Sequence, residues 1–154
     1  MKKFKCLLII FFVYGCGFKV IDPSDFQNFY INSIESTGDK RIGFQIKNKL
    51  SIKSKDPSKE NIKLYLNAEK VKTVKEKSSS NEITKYLVTI NLNVKVEHFD
   101  KIIEVYNISE QKDYNVSSQY SQTIVNENQV IKSLNEILVS KLIKKISLIN
   151  FNDL

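Results

Sequence analysis

The sequence predicts an α+β domain: a two-layer sandwich in which a mostly antiparallel four-stranded sheet carries two helices packed on one face. Three observations point there. Residues 86–96 alternate apolar and polar over eleven positions, the period of a strand with one buried face. Two segments, 39–52 and 126–149, instead place apolar residues three and four apart, the period of an amphipathic helix. The order is strand, helix, strands, helix, and a fifth strand is available if residues 113–124 extend the sheet.

Taken in order, Phe29–Ile34 reads as a short strand, and Ser36, Thr37, Gly38 and Asp39 offer helix-capping chemistry. Ile42, Ile46 and Leu50 then share one helical face, with Phe44 widening the stripe. Residues 54–60 break the pattern as a loop. Ile62, Leu64, Leu66 and Ala68 alternate with polar partners, and 75–81 is a polar connection. The long strand has Tyr86, Val88, Ile90, Leu92, Val94 and Val96 on one face. Residues 97–100 turn the chain into a partner strand over 102–109, whose less regular alternation leaves room for a bulge. Residues 113–124 either continue the sheet or lead into the last helix. That helix has Val130, Ile131, Leu134, Ile137, Leu138, Leu142, Ile146 and Ile149 on its stripe, with Lys132, Asn135, Glu136, Ser140 and Lys144 opposite. From 126 to 149 it would run ~36 Å at 1.5 Å per residue, and Lys141, Lys144 and Lys145 suit its C-terminal dipole.

The start of the chain is a separate unit. A basic n-region, Met1–Lys5, precedes nine apolar residues, Cys6–Tyr14, and then Gly15 and Cys16. This is the layout of a secretory signal; the run is too short to span a bilayer, which needs ~20 apolar residues. Val13-Tyr14-Gly15-Cys16 resembles a lipobox. The expected product is cut before Cys16, whose thiol takes an S-diacylglycerol and whose amine takes an N-acyl chain, with no other cofactor. Several acyl chains hold far more firmly than one. Residue 17 is Gly rather than Asp, so the usual inner-membrane retention signal is missing. The expected address is the periplasmic face of the outer membrane. The chain therefore divides into a signal over 1–15, a lipidated tether over 16–26 and one domain over 27–154.

Cys6 leaves with the signal and Cys16 is acylated, so no disulfide and no thiolate metal site is expected. The signal removes Lys2, Lys3 and Lys5 and no acids, lowering the net charge from +7 to +4. The remaining excess suits an anionic partner, although AT-rich coding also produces such a lysine-rich composition. The residues argue against an enzyme. His98 is the only histidine, expected exposed in a hairpin turn; Glu76, Glu82, Glu97 and Asp100 fall at strand ends and loops. Four glycines form no phosphate-cradling loop. Candidate contacts for the phosphates of lipopolysaccharide are Lys63, Lys85 and Lys95, alternating outward on the long strands, and Lys70 and Lys72, near the following turn. Aromatic residues are too sparsely interleaved for a nucleic-acid platform.

Cys16-Gly17-Phe18-Lys19 directly after the signal resembles the start of the LptE (RlpB) family of outer-membrane lipoproteins. The order of elements is also similar: a short strand, a helix with Arg41 near its start, long strands opened by Tyr86-Leu87, and a last helix with Leu134, Leu138 and Ile146. The small residues many relatives place in that helix are mostly Asn, Val and Ser here. The resemblance implies a non-enzymatic subunit of the lipopolysaccharide-assembly translocon, a plug and assembly partner of an LptD-like barrel that handles lipopolysaccharide. A second reading is a periplasmic lipid-binding auxiliary lipoprotein of an ABC-type transporter.

Overall fold

The computed structural model describes residues 28–53 and 56–151. The signal and the whole tether over 16–26, Cys16 included, lie outside them. The elements are β1 (Phe29–Gly38), α1 (Lys40–Lys53), β2 (Glu60–Lys77), β3 (Ile83–His98), β4 (Lys101–Asn115) and α2 (Tyr120–Ile146). The strands form one sheet in the order β1-β2-β3-β4. The α1 crossover makes β1 parallel to β2, while tight turns make β2, β3 and β4 antiparallel. The result is the mostly antiparallel, four-stranded α+β architecture expected from the periodicities.

The period-two pattern of β3 organises the core. Val88, Ile90, Leu92, Val94 and Val96 are all fully buried; the last three face Ala68, Leu66 and Leu64 of β2 across the ladder. In β1 a register shift between Ile31 and Ser33 resets the alternation, so Phe29, Ile31 and Ile34 all point inward. Gly38 closes β1 with φ +80°, and a Cβ there would stand 2.2 Å from the Ala68 carbonyl oxygen. Asp39 then caps α1: its carboxylate accepts the Arg41 and Ile42 N–H groups, both at 3.0 Å.

Several helical and turn positions differ from expectation. Phe44 is 63 % exposed; α1 instead approaches β1 through Gly43, whose Cβ position is 3.1 Å from Ser36. On α2 the buried set is two rows four residues apart: Val130, Leu134, Leu138, Leu142 and Ile146, beside Ile131, Asn135, Val139 and Ile143. The second row exists because α2 packs against α1 as well as the sheet, which buries Asn135 and turns Ile137 outward. Asn135 donates from Nδ2 to Gln45 of α1 at 2.6 Å. The helix begins at Tyr120, not 126, and ends at Ile146, leaving Ile149 beyond it. Buried Thr123 anchors the early start: its hydroxyl accepts the Ser117 N–H at 2.9 Å. Residues 113–124 are thus divided, with Asp113–Asn115 completing β4 and Tyr120 onward in α2. β2 runs through Lys77 because β3 pairs with it as far as Ile83, so only 78–82 is connection.

Leu92→Asp places an unpaired carboxylate under the helices, between Ala68 and Ile108 on the neighbouring strands. Thermal or urea unfolding should show a loss of about 4 kcal/mol or more, or no folded state. Wild-type melting would refute the β3 register.

Candidate binding surface

Among the described residues, no helix or strand lies on the sheet face away from the two helices, and its composition follows from strand alternation. Thr37, Asn67, Asn93 and Asn107 are cross-strand neighbours, forming a row of uncharged polar side chains across all four strands. Asn93 donates to Asn107, and Ser109 donates to Asn91 at 2.7 Å. The adjacent row is Glu35, Tyr65, Lys95 and Val105. Glu35, Thr37, Tyr65, Asn67, Asn93 and Lys95 of these rows line a shallow depression of about 630 Å³ that also reaches Glu97 and Ile102. Amides that donate and accept in one plane, beside a tyrosine ring, suit a polar or planar contact.

The five candidate lysines do not form one site. Lys63, Lys85 and Lys95 occupy odd positions on the open face. Lys63 pairs with Glu97 at 2.8 Å and Asp100 at 3.0 Å, which hold its ammonium pKa above the ordinary lysine value. Lys85 pairs with Glu76 at 2.7 Å. Lys95 is exposed and has no ion pair among the described residues. Lys70 and Lys72 continue the even, inward row of β2 and lie on the other side of the sheet, not near a turn. There Glu127 of α2 receives Lys70 at 3.3 Å and Lys72 at 2.7 Å. Surface pairs of this kind contribute little stability, but Glu127 is only 12 % exposed. It also accepts the Tyr114 hydroxyl at 2.7 Å, while Lys72 sits 4.2 Å from the Tyr86 ring centroid. Burial alone would raise the Glu127 carboxyl; the bonds from Lys72 and Tyr114 outweigh it and hold its pKa at about 2.

His98 is buried, contrary to its expected place in an exposed turn. The turn is only Phe99 and Asp100, so His98 remains the last inward residue of β3. Its Nδ1 lies 2.9 Å from the Asn61 carbonyl, and its ring meets Phe99 at 4.2 Å and Phe151 at 5.3 Å. Glu127 escaped the sequence reading, and so did the burial of His98, although the period-two row of β3 points to it if extended past Val96.

No protein-family model matches the sequence, and no curated protein matches it. Solved structures do. A protein described as a lipoprotein from Caulobacter crescentus aligns with TM-score 0.57 at 11 % identity, over 81 % of this chain and 91 % of its own. Rare lipoprotein B from Shewanella oneidensis aligns with TM-score 0.50 at 13 % identity, over 76 % and 98 %. A minor lipoprotein from Acinetobacter baumannii gives 0.56 at 12 %, over 78 % and 90 %. The chain shares their fold.

The Glu127 cluster gives a pH test. Its folded pKa lies below its ordinary value of 4.5, so its stabilisation is present above pH ~4.5 and is lost as the pH falls towards 2. The span corresponds to on the order of 2–3 kcal/mol. Glu127→Gln should flatten the acid limb of the stability curve in urea titrations. An unchanged limb would remove Glu127 from the account.

Proposed function

We propose that this chain is a lipid-anchored lipoprotein of the outer membrane that works without catalysis, as the LptE-like partner of an LptD-type barrel in lipopolysaccharide assembly. One observation carries the reading: behind a lipobox at Cys16, the domain has the fold of rare lipoprotein B, RlpB being another name of the LptE family, over nearly that protein's whole length. The open sheet face agrees with a docking role. A face left uncovered by the described helices, with hydrogen-bonded amides at its centre and paired charges at its rims, costs less to desolvate than one of free charges. Lys95, exposed in the depression, is the lysine of the original five best placed to meet a lipopolysaccharide phosphate. Lys70 and Lys72 are already committed to Glu127.

The test is affinity purification of the tagged full chain from detergent-solubilised outer membranes. A large barrel protein should co-purify, and Cys16→Ser should move the chain into the soluble periplasmic fraction. Recovery of the chain alone, with normal surface lipopolysaccharide after its depletion, would overturn the translocon role. Co-purification with an inner-membrane permease and ATPase would favour the transporter auxiliary.

A further inference from the structure

The beginning of the domain, the end of α2 and the β3–β4 turn all lie at one end of the sheet. Asn28, just ahead of β1, donates to the Ile149 carbonyl at 3.0 Å. Phe151 packs on His98, and His98 on Phe99. This is the end at which the tether enters: Cys16 precedes Asn28 by twelve residues, so the lipid and this end cannot separate by more than ~40 Å.

The same end carries conspicuous apolar exposure. Phe99 is 82 % exposed at the tip of the turn, and Leu148, one residue past the α2 cap, is 77 % exposed. The backbone at the tip is unusual too. Phe99 and Asp100 both adopt positive φ, 46° and 58°, as a two-residue turn of the primed type requires. Asn-Gly satisfies that geometry most easily, whereas a bulky residue there carries strain of order 1–3 kcal/mol. An aromatic ring is therefore held in water, in a conformation that disfavours it. The turn is braced rather than loose, because Lys63 bridges Asp100 and Glu97 across it. Lys101, next to the tip, and Lys144, in the last turn of α2, are exposed and have no ion pair among the described residues. Asp100 is the acid at the tip, and it shares Lys63 with Glu97.

We propose that this end of the domain is a membrane-seating surface: Phe99 and Leu148 enter the interface of an anionic bilayer while Lys101 and Lys144 meet its phosphates. Amphipathic surfaces combining apolar side chains with nearby lysines bind in this way, with each lysine adding about 1 kcal/mol near an anionic surface. Neither the side chains nor the charges suffice alone. Their role is orientation, fixing which end faces the bilayer once a lipid on Cys16 has brought the domain there. The inference rests on the lipoprotein reading for that delivery.

The chain has no tryptophan, so a single introduced indole reports its own surroundings. The experiment uses the lipid-bearing full chain in vesicles of phosphatidylethanolamine and phosphatidylglycerol, carrying Phe99→Trp, Leu148→Trp or, as control, Phe44→Trp. Phe44 is exposed near the start of α1, the end of that helix away from the tether. All three variants should float with the vesicles. Emission should shift to shorter wavelength and be quenched by brominated acyl chains for positions 99 and 148, and remain water-like for 44. Adding Lys101→Glu and Lys144→Glu should reduce the shift while the protein still floats. Flotation with water-like emission at 99 and 148, or an equal shift at 44, overturns the seating surface and leaves the lipid anchor standing. A chain that does not float fails both the anchor and the surface that depends on it.

Discussion

Five inward positions of β3, Val88 to Val96 in alternation, have essentially no surface in water, and the other elements are arranged around the need to keep them dry. β2 and β4 pair on either side of β3, and the two helices cover the face these strands share. No cross-link assists, since the chain's two cysteines, Cys6 and Cys16, both precede the domain. A domain of this size must then hold together through apolar burial. Of the polar groups drawn into the interface with the helices, Glu127 is tied to two lysines and a tyrosine, while Asn135 donates its Nδ2 to Gln45 and keeps its buried Oδ1 without a partner.

Covering only one face has a consequence for function. Among the described residues the two helices pack on one face of the sheet, and its second face carries neither of them. Strand alternation placed asparagines and threonine there, and the charged residues at its margins are largely neutralised by cross-strand neighbours. Such a face fits the docking role proposed for it. The strongest acidity shift downward, at Glu127, is explained by a brace between α2 and β2.

How much of this was legible follows from which forces act locally. The β3 strand, the inward rows of β2 and the Ile42–Ile46–Leu50 face were readable because one partner surface determines each. The α2 stripe was read too narrowly: two partners, sheet and α1, bury two adjacent rows, and only packing reveals that Asn135 is inside and Ile137 outside. Its start was obscure because Tyr120–Asn126 has little apolar periodicity and no side-chain cap; Thr123 and Glu127 fasten that turn through tertiary bonds. Lys70 and Lys72 sat on the inward row all along, but their charge suggested solvent until Glu127 supplied the counter-charge. His98 was hidden by assigning two strand residues to the turn. Gly17 and Phe18 after Cys16 pointed to a lipoprotein family, while the domain's fold, at 11–13 % identity to its structural neighbours, could be compared only in three dimensions.

The account stands or falls on whether the open face meets a protein in the envelope. A photo-crosslinking residue in place of Asn93, at the centre of that face, reports its neighbour in living cells. The account predicts an adduct with a large outer-membrane barrel protein, lost when the same residue replaces Lys132 on the outer side of α2. No adduct at Asn93, or one formed only with an inner-membrane protein, would contradict it.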